Sequence, residues 1–449
     1  MLFFRRVMFR SFFIFIILIC SLGLVQAKQS SQVISPASAS STELLSDESC
    51  KNIANFFKIY QEKKDNPPII NEVAVRFRLQ YGLGWVDPAG GSNRVAGAPY
   101  GKGRNWFNEF RRLNGGIQIK FLEKWQFQNV WTLGGMQGLD TFNIGNKTWN
   151  HNDTKYSLFT FSLSHQGEHL TYGIGKQMPR ISGEYRLTSD AIITMERSSI
   201  VEMIRPELNY GFNVKTSKKD SPWGWAMGIW LSGNGNMGDD KNNNRIEPVF
   251  NEQDNCFTTS TLDFDTSGFA GFEKSRLWID YSHNFSKLKD TNYNKFQNYY
   301  TGNFQGTGAR DVLAITWEAT HGKLNLMAEL IGAWNMINMP QGAENAYGLV
   351  LIPSYNFTPH IQGVCSLEAT TGSKACRINR RLTTNTNYSN MADQLQSVYL
   401  GINYHFCPEK PHMMKLMFGV QYLHSQGSEL PSNKPFTGWS YNMGYRCEF

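Results

Sequence analysis

Apolar and polar residues alternate along most of this chain with the two-residue period of β-strands. The clearest segment is 73–85, where every second residue from Val73 to Trp85 is apolar and the residues between them are small or polar. Successive side chains of a strand point to opposite faces, so such a segment separates two environments. The same period runs from Trp439 to Phe449, and it leaves an aromatic residue in the last position of the sequence.

Fourteen segments show this alternation, and each is predicted to be a strand. They are 73–85, 112–121, 125–134, 156–165, 169–176, 207–216, 222–232, 269–284, 310–319, 324–335, 345–356, 397–406, 413–423 and 438–449.

The connections between these strands alternate in length. The connections 122–124, 166–168 and 217–221 are short, whereas 87–106, 137–155 and 233–268 are long. The alternation fails at 285–309 and at 357–396. Weaker strands at 292–302 and 360–367 restore it, and they raise the count to sixteen with both ends of the chain on one side.

This pattern predicts an all-β fold, a transmembrane antiparallel β-barrel of about 16 strands spanning residues 69–449. Short turns at one rim and long loops at the other are typical of outer-membrane barrels, whereas a soluble sandwich has no such asymmetry. After residue 27 no run of 18 apolar residues occurs, which excludes a helical membrane protein. The polar faces of the strands are then expected to line a lumen.

Residues 1–27 are predicted to be a cleaved signal peptide. Three arginines precede the apolar run Phe12–Leu24, and Val25-Gln26-Ala27 is a suitable cleavage site. Residues 28–68 then form a periplasmic segment, first flexible and then helical in spacing over 50–65. We interpret this segment as a short helix or linker rather than a docking element.

Composition narrows the possible functions further. Without the three arginines of residues 1–27 the net charge is +4, which does not suggest a nucleic-acid-binding protein. No catalytic motif such as GxSxG, HExxH or a P-loop occurs, and no cysteine spacing suggests a metal, so we expect neither an enzyme nor a cofactor. Export permits disulfides, and Cys365 and Cys376 are close enough in sequence to form one.

The connection 178–206 breaks the strand period. Its apolar residues have a broadly helical spacing that Thr188 or Ser189 could cap: Ile193, Met195, Ile200, Met203 and Ile204. Because apolar side chains are poorly placed in water, we predict an inward-folded constriction loop rather than an external lid. Glu184, Glu196 and Arg197 are interpreted as residues that hold this loop together.

The same region resembles the phosphate-selective porin family, the porin O and P type. The resemblance rests on YGIGKQMPRISGEYRLTSDAIITMERSSI, with its Gly-Glu step followed by Thr-Ser and Glu-Arg. Further similar stretches are Arg78-Leu79-Gln80, Phe110-Arg111-Arg112-Leu113, Lys124-Trp125 and Val398–Tyr404. The resemblance implies a sixteen-stranded barrel in the bacterial outer membrane, usually a homotrimer, with basic side chains along an anion path.

Arg78 and the Arg111-Arg112 pair match the family's lumen arginines by position, although alternation leaves the direction of Arg111 open. The basic residues expected along the path are Arg76, Arg78, Arg111, Arg112, Lys120, Arg186 and Lys215. Two departures weaken selectivity for phosphate itself. Tyr185 stands where the phosphate-selective members have a lysine, and the loop 233–268 contains only Arg245. Arg377, Arg380 and Arg381 form the nearest substitute cluster, in another outer loop.

The leading hypothesis is therefore a porin for passive diffusion of small anions, with phosphate and polyphosphate as candidate solutes. The alternatives are a general or sugar-type diffusion porin, and a surface-structural or adhesive barrel. The expected partners are outer-membrane lipid, small anions and the barrel-assembly machinery, which could recognise the strand that ends at Phe449.

Overall fold

The computed structural model describes residues 47–61, 69–88, 105–132, 157–206, 208–217, 221–231, 256–285, 309–336, 345–377, 391–427 and 435–449. The first two elements are the helix α1 (Asp47–Phe56) and the short strand β1 (Lys58–Gln61). The first half of the barrel consists of β2 (Ile70–Pro88), β3 (Asn105–Phe121), β4 (Trp125–Thr132), β5 (Ser157–Gln166), β6 (Leu170–Gln177), β7 (Asn209–Thr216), β8 (Trp223–Leu231) and β9 (Cys256–Asp265). The second half consists of β10 (Lys274–Asn284), β11 (Ala309–His321), β12 (Leu324–Met336), β13 (Asn345–Asn356), β14 (Ile361–Arg377), β15 (Met391–His405), β16 (Met414–Gln426) and β17 (Thr437–Glu448).

Strands β2–β17 form a closed antiparallel barrel of sixteen strands, which confirms the predicted fold. Each strand pairs with its neighbours in sequence, and the ring closes where β17 pairs with β2. Short and long connections alternate around the whole ring. Both α1 and the end of β17 lie at the rim with the short turns, because α1 contacts the turn between β15 and β16.

The position of one strand was predicted wrongly. β9 lies at Cys256–Asp265, inside the predicted loop 233–268, and it pairs with β8 and β10. Threonine and serine occupy both of its faces, so its sequence shows little contrast between them. The inferred strand 292–302 lies outside the described residues, and β10 pairs directly with β11. The other inferred strand, 360–367, falls within β14.

The two faces of the barrel wall differ in polarity as a membrane barrel requires. Large apolar side chains are exposed on the outer face, including Leu330, Leu349, Leu400, Phe418, Trp439 and Tyr441. The alternate residues of the same strands point inward, and many are polar or charged, such as Glu329, Asn403, Lys415 and Arg446. Among the described helices, none is both long and apolar enough to cross a membrane.

The connection between β6 and β7 folds into the barrel. It contains two short helices, α2 (Gly183–Arg186) and α3 (Ser199–Ile204). Ile200 and its apolar neighbours pack against Ile331 and Val350, which alternate with the exposed Leu330 and Leu349 and therefore belong to the inner face. We call residues 178–206 the inner loop. Burial of its apolar side chains drives this inward folding.

The helices of the inner loop are shorter than predicted, and their caps differ. Ser182 precedes α2 and accepts a hydrogen bond from the Tyr185 amide, while Ser198 precedes α3. The predicted caps Thr188 and Ser189 lie in the non-helical stretch between the two helices. Ser189 instead contacts the arginines of the wall, because that stretch runs along the inner face of β2.

Residues 47–61 of the N-terminal segment are docked on the barrel, contrary to our interpretation. Its helix α1 is joined to the barrel by a disulfide between Cys50 and Cys407, which lies in the turn after β15. The predicted bond between Cys365 and Cys376 does not form, and Cys365 remains a thiol. Both residues belong to β14, where they lie opposite Leu400 and Ala392 of β15, so roughly 26 Å of sheet separates them, far beyond disulfide reach.

Candidate functional site

Arginines of β2 and β3 face the lumen beside the inner loop. Alternation along β2 places Arg76 and Arg78 on the inner face. In β3 the register shifts between the pairs Gln80–Arg112 and Tyr81–Phe110, which makes Arg111 the extra residue of a β-bulge. A bulge interrupts strict alternation. Arg111 and its neighbour Arg112 therefore both reach partners inside the barrel, which resolves the direction that the sequence left open.

Carboxylates pair with most of these arginines. Arg78 donates from Nε to Glu448 Oε2 at 2.6 Å and lies 3.1 Å from Asp190 Oδ1 in the inner loop. Arg76 donates to the other oxygen of Glu448 at 2.8 Å. Arg111 pairs with Glu196 of the inner loop at 2.5 Å. Arg78 and Arg111 thus connect the loop to the wall, and the charges of all three arginines are largely compensated.

Arg112 differs from its neighbours. It donates to Gln80 Oε1 at 2.7 Å, and Gln80 in turn donates to Ser189 Oγ at 3.0 Å. Across the described residues, no carboxylate lies within ion-pair distance of Arg112. Its strongest electrostatic neighbours are other guanidinium groups, those of Arg111, Arg197, Arg205 and Arg78. Arg112 is thus a partly exposed arginine whose strongest electrostatic neighbours carry the same charge.

Wall carboxylates bind the inner loop at the N-termini of its helices. Glu329 of β12 accepts the Gly183 amide at 2.7 Å, and Glu368 of β14 accepts the Ile200 amide at 3.1 Å. The first amides of a helix lack partners within the helix, and a carboxylate there also interacts favourably with the helix dipole. Sequence reasoning missed both residues. The only trace of them in the sequence is one acidic residue on the inner side of each strand. The neighbouring residues of the strand do not show which group this carboxylate binds.

Basic and amide side chains of the wall bind the carbonyl groups of the same loop. Arg446 donates to the carbonyls of Ser189 and Met195, and Lys415 donates to that of Ile192. Asn403 donates to the Ile193 carbonyl at 2.8 Å. Sequence reasoning did not single out these three wall residues either. The wall thus holds the inner loop in two ways: its carboxylates accept hydrogen bonds from loop amides, and its basic and amide side chains donate to loop carbonyls.

Within the loop, Glu184 and Arg197 connect the two helices. Glu184 accepts the Ser198 amide at 2.9 Å, and Arg197 donates to the carbonyls of Glu184 and Leu187. Burial raises the pKa of Glu184 to about 8, because the charged carboxylate loses its hydration there. Glu184, Glu196 and Arg197 thus all make contacts that hold the loop in shape.

The remaining predicted residues do not join this cluster. Arg186 pairs with Asp280 and stacks on Trp278, and Lys120 pairs with Glu72 at 3.0 Å. Lys215 lies on β7 opposite Thr171 and Ala226. Arg377 is in β14 without a described side chain, and Arg380 and Arg381 lie outside the described residues. In the part of the chain that the structure describes, no group of acidic, cysteine or histidine side chains could hold a metal ion.

Tyr185, which replaces the expected lysine, does not face the passage. Its ring is 2% exposed, and its hydroxyl donates to the Pro206 carbonyl at 3.0 Å. The guanidinium of Arg197 lies over the ring, 5.3 Å from its centre. The position therefore serves the packing of the inner loop in this chain.

Comparisons with known proteins agree with this geometry. The model of the family "Phosphate-selective porin O and P" matches residues 89–251, which confirms the resemblance seen in the sequence. The fold that these comparisons support is the closed sixteen-stranded antiparallel β-barrel. No curated protein sequence matches it.

Solved porin structures share the fold of this chain at low sequence identity. OprB of Pseudomonas putida is 8% identical with a TM-score of 0.53, over 84% of this chain and 93% of that one. An anion-selective porin from Comamonas acidovorans is 9% identical with a TM-score of 0.50, over 84% of this chain and 99% of that one. The outer-membrane channel DcaP of Acinetobacter baumannii is 8% identical with a TM-score of 0.50, over 87% of this chain and 100% of that one.

Proposed function

We propose that this porin lets small anions, phosphate among them, diffuse passively past the arginine cluster between β3 and the inner loop. The observation that carries the proposal is Arg112, which has guanidinium groups rather than carboxylates as its strongest electrostatic neighbours. A guanidinium stays charged and offers donors that match oxyanions. The match to the phosphate-selective porin family and the printed description of the Comamonas porin as anion-selective support the same direction.

The mechanism is a weak, replaceable contact. An anion near Arg112 exchanges part of its hydration shell for donors of the arginine, and the surrounding low-dielectric wall strengthens the local field. Arg78 and Arg111 attract the anion less strongly, because Glu448 and Glu196 compensate their charges. Since one uncompensated charge attracts weakly in water, the expected result is a moderate anion preference rather than tight binding of phosphate.

The other expected properties are also part of this proposal. They are export by a cleaved signal peptide, assembly through the strand that ends at Phe449, and a homotrimeric state. The Arg377–Arg381 cluster would attract anions to the outer mouth. A general diffusion porin is the second candidate, because carboxylates of the wall and of the inner loop offset much of the basic charge.

The test is ion selectivity of the purified porin in a planar bilayer under a KCl gradient. We expect a reversal potential that shows anion preference. Arg112→Gln should lower the ratio of chloride to potassium permeability by up to about tenfold, because one charge about 6 Å away in water attracts chloride and repels potassium by ~0.7 kcal/mol each.

Arg78→Gln is the matched comparison, because this arginine is paired with two carboxylates. It should change the permeability ratio less than Arg112→Gln does. Cation preference in the wild type, or an unchanged ratio in Arg112→Gln, would assign the protein to the general diffusion porins. A channel that gives no current at all would favour the surface-structural class.

A further inference from the structure

The closing seam of the barrel leaves part of β2 unpaired by β17. β17 pairs with β2 only from Pro88 to Arg78, and Phe449 exchanges backbone hydrogen bonds with Phe77. β2 nevertheless continues to Ile70, paired on its other edge with β3. The edge of residues 72–76 would therefore expose unpaired backbone groups at the rim, and an open edge is costly beside a membrane.

The N-terminal strand β1 fills this edge. The Val75 amide donates to the Phe57 carbonyl at 2.8 Å, and Lys58, Tyr60 and Gln61 continue the antiparallel ladder along β2. β1 therefore continues the line of β17 end to end. The rings of Phe57 and Phe449 stack 4.4 Å apart, with an angle of 7° between their planes, where the two segments meet.

Helix α1 covers the same seam from the outer side of the wall. Its Cys50, Ile53 and Ala54 pack against side chains of three elements. These partners are Phe77 and Leu79 of β2, Tyr445 and Cys447 of β17, and Phe406, Met413 and Met414 near the turn after β15. Those strand residues alternate with the lumen-facing Arg78 and Arg446, so they belong to the outer face.

The disulfide joins the two sides of the seam covalently. Cys50 precedes β1 and β2, whereas Cys407 follows β15, and the bond connects positions 357 residues apart in sequence. Strands β2, β17 and β16 lie between the two attachment points. With the bond formed, β2 and β17 cannot separate at the rim unless α1 and β1 are also displaced.

We propose that residues 47–61 form a clasp on the barrel seam: β1 completes the wall beside β17, and the bond between Cys50 and Cys407 locks it in place. A crosslink that closes so long a loop restricts the unfolded chain strongly. It also keeps α1 near its site when the rim opens. The clasp acts on the lifetime of the closed barrel, and it lies outside the lumen that conducts ions.

The test measures unfolding of the assembled porin in sodium dodecyl sulfate at a fixed raised temperature, followed by electrophoretic mobility. We expect the oxidised wild type to unfold at least about tenfold more slowly than the Cys50→Ser variant and than wild type reduced after assembly. Reduction after assembly keeps the comparison valid if the variant assembles poorly. Single-channel conductance should be the same in all three.

Cys365→Ser is the matched control, because it removes a wall cysteine outside the clasp, and its unfolding time should equal that of wild type. Alkylation and peptide mass mapping of membranes should show Cys50 joined to Cys407, with Cys447 alkylated after unfolding. Equal unfolding times for oxidised, reduced and Cys50→Ser protein would overturn the proposal. Recovery of Cys50 as a thiol from native membranes would overturn it as well.

Discussion

At the scale of single residues, burial decides whether a charged or polar side chain serves conduction or architecture. Tyr185 occupies the position of a family lysine, yet its ring is enclosed by the inner loop and its hydroxyl binds Pro206. Arg78 faces the lumen as predicted, but Glu448 and Asp190 occupy its donors. Arg112 combines partial exposure with a neutral partner, so its charge is available.

Tyr185→Lys therefore should not create a phosphate site. The lysine would place an ammonium group among buried side chains, with Arg197 beside it, and this costs about 1–3 kcal/mol of stability. We expect a lower melting temperature in detergent and no increase in anion preference in the bilayer. Tyr185→Phe is the control, which loses only the bond to Pro206, about 1 kcal/mol. A rise in phosphate block with unchanged stability in Tyr185→Lys would contradict this assignment.

At the scale of elements, the inner loop depends on carboxyl groups that the fold removes from water. Glu184 bridges α2 and α3, and its raised pKa of about 8 means that the folded loop favours the protonated acid. Protonated Glu184 therefore stabilises the folded loop relative to the unfolded loop. This stabilisation is fully present below about pH 4, the pKa region of an exposed glutamate, and is lost as the pH rises through about 8.

We accordingly expect the inner loop to loosen progressively between about pH 4 and pH 8. Limited proteolysis within residues 178–206 would measure this, with cleavage rates corrected for the pH dependence of the protease. Glu184→Gln keeps an acceptor for the Ser198 amide and does not titrate, so its cleavage rate should vary much less with pH. A wild-type profile that is flat, or one identical to that of Glu184→Gln, would show that Glu184 does not set the loop's stability.

The elements differ in how much of them the sequence predicts. Strands such as β2 separate lipid from lumen, so each carries its own two-residue pattern, and the even count follows from topology. β9 was not predicted because Thr258 and Thr259 make its two faces similar in polarity. The anchors Glu329, Glu368 and Arg446 and the partner of Cys50 depend on contacts between segments far apart in the chain, which no local pattern contains.

At the scale of the whole molecule, the inner loop divides the barrel interior unequally. It packs on the inner faces of β11–β17, where apolar residues such as Val350 alternate with its polar anchors. The opposite wall has neutral polar inner residues, among them Ser162, Ser164 and Asn213. We infer that the passage runs between that wall and the loop, with Arg112 of β3 at its border.

Releasing the loop from the wall should then widen this passage. Arg446→Met removes a donor to the carbonyls of Ser189, Ile192 and Met195. The Ile192 carbonyl keeps Lys415 as its donor, whereas the loss at the Ser189 and Met195 carbonyls costs about 1–3 kcal/mol each. We expect single-channel conductance to rise by about half or more, with increased current noise and weaker ion discrimination. Gln421→Met is the matched control, since Gln421 faces inward on the adjacent strand β16 but binds Ser397 of the wall rather than the loop. If both variants conduct like wild type, the inner loop does not set the bore of the channel, and the restriction must lie among the outer connections.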